Sequence, residues 1–529
     1  MLFNSFTFLI FLPIVFLLYW FVFQKNLKMQ NAFLLLSSYV FYGWWDWRFL
    51  GLIIASSAVD YWCGIKMGTV TPSGPVTSTI GTSHLDDRRG LIHHGTPLDK
   101  ISPDGRNELP ITSTTGEVSP SGQVSPSNRK LYLSISLVFN LGLLAFFKYF
   151  NFFIDSAADL IETLGFQAHI STLNLILPVG ISFYTFQTLS YSIDVYRGNL
   201  KPTQDPIAFF TFVAFFPQLV AGPIERASNL LPQFFRKREF QYQQGSDGMK
   251  LILWGLFKKM VIADNCALVV NPIFANYQTA SGLELIMGAI LFAFQIYGDF
   301  SGYSDIAIGV AKLFGFELMT NFRTPYFSRD IAEFWRRWHI SLSTWFRDYV
   351  YIPLGGSRVS KAKAIRNIFI VFLVSGFWHG ANWTFVFWGA IHAALFIPIF
   401  LVGKNRAHLH EGEQLIPSLK EVFQIILTFS LVCVAWVFFR SDTVGEAWGY
   451  LNGMVSNSLL PENYLWFGYD LRIALILFLI LEWIGRYESN WMVRLQHKWF
   501  RYPAYVFTAF LIVFWGVFTE AKEFIYFQF

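Results

Sequence analysis

The chain is a succession of long uncharged apolar runs separated by short polar interruptions. The clearest runs cover 5–23, 131–147, 205–223, 365–378, 383–402, 420–438, 471–481 and 503–519. Several reach the ~20 residues a helix needs to cross the hydrocarbon of a bilayer, and the shorter ones are expected to be broken or re-entrant. The pattern predicts an all-α, multi-pass transmembrane protein with roughly ten to thirteen membrane helices. The first run has no basic residue before it and no small-residue cleavage site after it, so it reads as a retained helix and not a signal peptide.

Two regions depart from this pattern. From 68 to 128 the chain is rich in Ser, Thr, Gly and Pro and poor in large apolar residues, so it cannot build a core. It reads as a disordered cytoplasmic loop dividing the N-terminal helices (1–67) from the main body (129–529). His93 and His94 within it read as solvated loop residues. The second region, 320–358, is the most polar part of the body. Trp335, His339, Leu342 and Phe346 recur there at helical spacing, which predicts an amphipathic helix lying at the membrane surface. Glu333 and Arg337 are spaced to pair, and Ser328 and Asp330 are candidate helix N-caps.

Composition agrees with the membrane reading. Hydrophobic residues make up 54% of the 529 positions and charged residues only 14%, too much apolar surface for a soluble chain to hide. The net charge of +5 reflects cytoplasmic loops and does not call for nucleic acid. Lys25 and Lys28 after the first run, Lys66, and Arg129 and Lys130 at the end of the long loop set the orientation, with "FFRKREF" and "LFKKM" on the same side. This predicts an extracytoplasmic N-terminus in the inner membrane of a cell. Cys63, Cys266 and Cys433 lie far apart, without disulfide or metal-ligand spacing. No matched pair of Gly/Pro-broken helices appears in the two halves, which weighs against a secondary transporter.

Ionisable groups inside apolar runs then carry the candidate chemistry, because each is costly there. His379 stands in "FWHGANW", between two apolar runs, with Asn382 three residues on and able to face the same chamber. A desolvated imidazole stays neutral and can take a proton from a hydroxyl, the work of a base in acyl transfer. A core histidine satisfied by a carbonyl is an equal reading. His339, amid cations, is likewise either a functional neutral imidazole or a structural one. At about 100° per residue, His392 would sit about 140° from His379 on one helix, so it reads as structural. Asp299 and Asp305 suggest either acid–base chemistry or helix capping. The Pro-rich 215–234 stretch reads as a re-entrant element lining a cavity, with Glu225 and Arg226 able to pair.

The stretches "PVGISFYTFQTLSYSIDVYRG" (178–198), "FPQLVAGPIER" (216–226), "DFSGYSDIAIG" (299–309), "FWRRWHISLSTWFRDYVYIPLGG" (334–356) and "SGFWHGANWTFVFWGAIH" (375–392) together resemble the membrane-bound O-acyltransferases. The likeness is greatest to the bacterial branch that acetylates alginate, with the D-alanyl transferases of teichoic acid as cousins. It covers nearly the whole chain except the unusually long 68–128 loop. The resemblance implies a ring of membrane helices around a central funnel. It implies catalytic roles for His379 and His339, with Trp378, Asn382, Arg336 and Ser343 as substrate-contacting residues. It further implies transfer of an acetyl group from a cytoplasmic donor, acetyl-coenzyme A or an acylated carrier protein. An extracytoplasmic partner of the SGNH-hydrolase type would receive the group and esterify an exported polysaccharide such as alginate. No cofactor is expected to be resident. The alternatives are D-alanyl transfer to teichoic acid from a carrier protein and, in another class, a proton-coupled transporter or channel using Asp299, Asp305 and His379.

Overall fold

The computed structural model describes residues 1–68, 126–167, 173, 175–409, 416–460, 468–487, 491–493, 495, 497–518 and 524–525. The greater part of the expected 68–128 loop lies outside these residues, as do His93 and His94. At its end the helix Pro126–Leu144 already begins inside the expected loop. The described residues are helical, with connecting turns and no strand. Among the described residues five spans are long and apolar enough to cross a membrane unaided: Trp47–Met67, Pro126–Thr163, Gly282–Leu313, Trp383–Leu401 and Leu419–Arg440. The other apolar runs fold as helices that are shorter or less apolar, Phe6–Leu17, Lys361–His379, Tyr469–Gly485 and Lys498–Trp515 among them. The 205–223 run is a short helix, Pro206–Ala214, followed by a buried irregular segment, as its prolines foretold.

Breaks and widened turns place polar groups inside this apolar body. Helical turns widened to the π form occur at Leu18–Val22, Ala145–Tyr149, Phe257–Ala263 and Arg347–Tyr351. The Phe257–Ala263 turn carries the two lysines of "LFKKM", which are engaged in the interior and not free in a loop. Lys258 and Lys259 are buried against the Gly282–Leu313 helix. Lys258 pairs with Asp305 at 2.6 Å, and Lys259 bridges Asp264 and Asp299, both at 2.8 Å. Asp299 also accepts the Ile525 backbone N–H at 2.6 Å. The two intramembrane aspartates are therefore halves of ion pairs, which removes them as open partners for a relay with His379.

The helices Lys361–His379 and Trp383–Leu401 form a tight hairpin. The backbones approach so closely at Gly376 and Gly389 that an added Cβ would lie 2.1 Å from the Phe385 carbonyl oxygen and 2.3 Å from that of Phe372. Only glycine fits at such a crossing.

Two outcomes test this packing. Gly376→Val must force the hairpin apart, with a loss of about 1–3 kcal/mol or more by the overpacking scale. Lys259→Met leaves two buried carboxylates without their cation and should cost about 3–5 kcal/mol. Thermal unfolding of the detergent-solubilised protein measures both losses, and an unchanged midpoint in either variant would contradict the corresponding contact.

Candidate active site

His379 is the last residue of the helix Lys361–His379 and is only 3% exposed. Gly380 leaves the helical conformation, and the chain turns into the next helix at Asn382. The end of a helix exposes carbonyls that need donors, and no water can supply them at this depth. The donors come from the turn Ala145–Tyr149. Lys148 Nζ donates to the Trp378 and His379 carbonyls at 2.9 and 2.8 Å, and the Tyr149 hydroxyl donates to that of Phe377 at 3.0 Å. A cation at a helix C-terminus also meets the negative end of the macrodipole. Lys148 was not singled out in the sequence. Its one signal is a lone charge at the end of the apolar run 131–147.

His339 is fully buried. The expected continuous amphipathic helix does not form: Ile331–Arg337 and Ile340–Phe346 are separate helices, broken at Trp338 and His339. His339 has φ +43°, in the left-handed region that a side chain other than Gly or Asn seldom adopts. Two strand-like contacts hold this break against the 321–323 segment. Ile340 N–H donates to the Asn321 carbonyl and Arg323 N–H to that of Arg337. The His339 ring packs edge-on to Phe300 at 4.7 Å, and its Nδ1 lies 3.0 Å from Asn321 Oδ1. Because the helix breaks, Trp335 and His339 do not share one helical face, and much of the segment is buried within the protein.

Trp378 joins the two histidines. Its ring lies 4.9 Å from the His379 ring and 6.0 Å from that of His339. Phe183 and Phe186, on the buried helix Ile181–Arg197, close its other sides at 5.6 and 5.4 Å. The structure thus brings together His339, His379 and Trp378 from segments widely separated in sequence. It also removes the premise of the angular argument for His392. Because the chain folds back at 380–382, His392 and His379 are not on one helix, and both rings pack on Trp388, at 4.8 and 5.1 Å. His392 Nδ1 accepts from the Trp335 indole at 3.3 Å.

The remaining expected contacts divide. The Asn382 side chain caps the next helix by accepting from Thr384 N–H, and it donates to the Asp442 carbonyl at 2.8 Å. Both its polar atoms serve the backbone, so it does not pair with His379. Ser343 donates to the Trp338 carbonyl at 3.3 Å, across the break. Glu333 gathers Arg337 at 2.6 Å and Arg329 at 3.0 Å. Burial works to raise its carboxyl, but hydrogen bonding from Arg329 and the charge of Arg337 outweigh it and hold the group below the usual glutamate range. Asp330 caps the Ile331–Arg337 helix, whereas Ser328 donates to the Pro325 carbonyl and caps nothing. Arg336 differs from its neighbours. One guanidinium nitrogen donates to the Asn405 carbonyl at 2.7 Å, and the buried Nη2 has no partner among the described residues. Glu225 and Arg226 do not pair. Glu225 accepts from Asn229 and the Met319 N–H, while Arg226 bonds Asp348 at 3.1 Å.

Comparison with known proteins bears on this arrangement. The model of the MBOAT, membrane-bound O-acyltransferase family matches residues 199–434, an interval that holds His339, His379 and Asn321. The chain is 37% identical over 453 residues to a probable alginate O-acetylase of Pseudomonas aeruginosa, covering 86% of this chain and 74% of that one. It is 33% identical over 484 residues to a peptidoglycan O-acetyltransferase of Helicobacter pylori, covering 86% and 80%. A teichoic acid D-alanyltransferase of Bacillus subtilis is 28% identical over 291 residues, covering 52% and 71%. Two buried imidazoles around one indole, in an all-helical membrane body that shares a third or more of its residues with such enzymes over most of its length, lead to one conclusion: the chain belongs to the membrane-bound O-acyltransferase family and is a multi-pass membrane acyltransferase.

Proposed function

We propose that this enzyme takes an acetyl group from a thioester donor on the cytoplasmic side and delivers it to a hydroxyl on the outer side, for O-acetylation of an exported polysaccharide such as alginate. The observation that carries this reading is the pair of buried histidines on either side of Trp378. Relatives called alginate O-acetylase and peptidoglycan O-acetyltransferase support the acetyl group and the extracytoplasmic glycan. Acetyl-coenzyme A and an acylated carrier protein both present a thioester and serve equally. The basic residues Lys25, Lys28, Lys66, Arg129 and Lys130 support an inner-membrane protein with its N-terminus outside. An SGNH-hydrolase-type partner then receives the acetyl group and esterifies the glycan.

In this reading the acceptor hydroxyl gives its proton to His379 as its oxygen bonds to the acyl carbon. The bond from that carbon to the donor sulfur breaks, and the departing thiolate takes the proton as a thiol. His339 holds the reacting hydroxyl in line. Arg336, whose neighbours Arg329 and Arg337 are engaged by Glu333, is the cation available to a donor phosphate. D-alanyl transfer ranks second, because the relatives with that activity match only about half of the chain. The transporter reading loses support from the pairing of Asp299 and Asp305 with lysines.

The O-acetyl content of exported polysaccharide, measured by proton NMR at matched membrane levels of protein, tests the proposal. His379→Ala should abolish the esters. His339→Ala should lower their rate of formation by about 10²–10⁴-fold, the range of a lost acid–base or orienting group. Normal acetylation by His379→Ala would sink the site, and D-alanyl esters in place of acetyl would promote the second reading. Lys148→Met strands two helix-terminal carbonyls at about 1–3 kcal/mol each. It should lower both thermal stability and ester yield, and a fully active, equally stable variant would show that the clamp is dispensable.

A further inference from the structure

Asn321 is buried completely and makes contacts that a merely space-filling residue would not need. Its Oδ1 receives the Ser341 backbone N–H at 3.3 Å and the Ser341 hydroxyl at 2.9 Å, and lies 3.0 Å from His339 Nδ1. Its Nδ2 donates to the Ser304 hydroxyl at 3.1 Å. Ser341 in turn accepts the Ile224 N–H at 3.0 Å, which ties the irregular 215–226 segment to the same network.

This geometry decides which atoms carry protons. A backbone N–H can only donate, so the Asn321 atom facing Ser341 is the carbonyl oxygen and not the amide nitrogen. An amide oxygen can only accept, so the His339 nitrogen beside it must carry a hydrogen. A neutral imidazole with its proton on Nδ1 has a lone pair on Nε2. That Nε2 is buried and has no hydrogen-bond partner among the described residues. A buried acceptor left unmade is costly and calls for an explanation. The left-handed backbone of His339 adds a second cost at the same residue.

We infer that Asn321 is a positioning residue for acyl transfer: it fixes His339 as the Nδ1–H tautomer and so leaves the Nε2 lone pair as the face that orients the reactants. This deepens the reading of His339 proposed above and rests on it. Asn321 touches no reactant and acts only through the imidazole. Ser304 and Ser341 orient Asn321 in turn, and each is replaceable as long as the Oδ1 acceptor stays in place.

The test combines a spectrum with a rate. The full chain, reconstituted in nanodiscs with ¹⁵N-labelled histidine rings, is observed by ¹⁵N NMR, and the His339 signals are identified by their loss in His339→Gln. Wild type should show a protonated Nδ1 and an unprotonated Nε2. In Asn321→Leu, which matches the volume and removes the acceptor, the proton should move to Nε2. In Asn321→Asp, which keeps an acceptor oxygen, it should remain on Nδ1. In cells, ester formation per unit of membrane protein should fall at least tenfold in Asn321→Leu and stay within threefold of wild type in Asn321→Asp. A wild-type His339 protonated on Nε2 overturns the inference. So does an Asn321→Leu protein that acetylates normally, or an equal fall in the Leu and Asp variants. If Asn321→Leu is lost from the membrane, the wild-type spectrum and the Asp variant decide. A His339→Gln protein with normal acetylation would instead refute the underlying reading of His339.

Discussion

A helix that ends inside a membrane leaves its last carbonyls with no water to meet, and everything around His379 follows from that constraint. The chain stops the Lys361–His379 helix at depth, and Lys148 and Tyr149 supply the donors from a separate helix. Trp378 and His379 are thereby fixed at the one point where backbone groups would otherwise be most loosely held. The same rule governs the break before Ile340–Phe346, where the Ile340 N–H and the Arg337 carbonyl, both freed by the interruption, pair with the Asn321 carbonyl and the Arg323 N–H. Both histidines of the site thus sit on interrupted helices, and both interruptions are repaired by groups remote in sequence.

A second consequence is the distribution of charge. Several charges buried in the body are held in ion pairs: Lys258 with Asp305, Lys259 with Asp264 and Asp299, Arg329 and Arg337 with Glu333. Others are held by neutral groups: Arg238 by Gln30 and Asn31, and Asp60 by Ser136, Asn140 and Ser192. Among the described residues Arg336 and His339 each keep a buried nitrogen without a hydrogen-bond partner, as do several buried tyrosine and tryptophan side chains elsewhere in the body.

Much of the helical plan was legible in the sequence, because apolar runs and their Gly/Pro interruptions are local properties. The broken character of the Pro-rich 215–234 stretch and the interruption at "FWHGANW" between two apolar runs came from such patterns, whereas the catalytic weight on His379 and His339 came from the family resemblance. What stayed hidden are pairings across the chain. "LFKKM" resembles a cytoplasmic stop signal, and only its neighbour in space, the Gly282–Leu313 helix, shows that its lysines neutralise aspartates. Asn321 carries no local mark, since its meaning comes from His339 and Ser304 on other elements. The helix break at His339 was invisible for another reason: no Gly, Pro or Asn stands there to signal a left-handed turn. Asn382, conversely, seemed to share a chamber with His379 because the two are three apart, but that spacing has meaning only along an unbroken helix.

The contact between Ile525 and Asp299 has a bearing on how the enzyme comes into being. The two residues are 226 apart, and Phe524 packs on Phe300, the ring that abuts His339. During synthesis the Gly282–Leu313 helix enters the membrane long before its Asp299 can receive its final donor. The wall beside His339 is therefore closed only after residues 524 and 525 have left the ribosome. Until then Asp299 lacks its backbone donor and Phe300 its outer neighbour, so the site is completed by residues made more than two hundred positions after the helix they close.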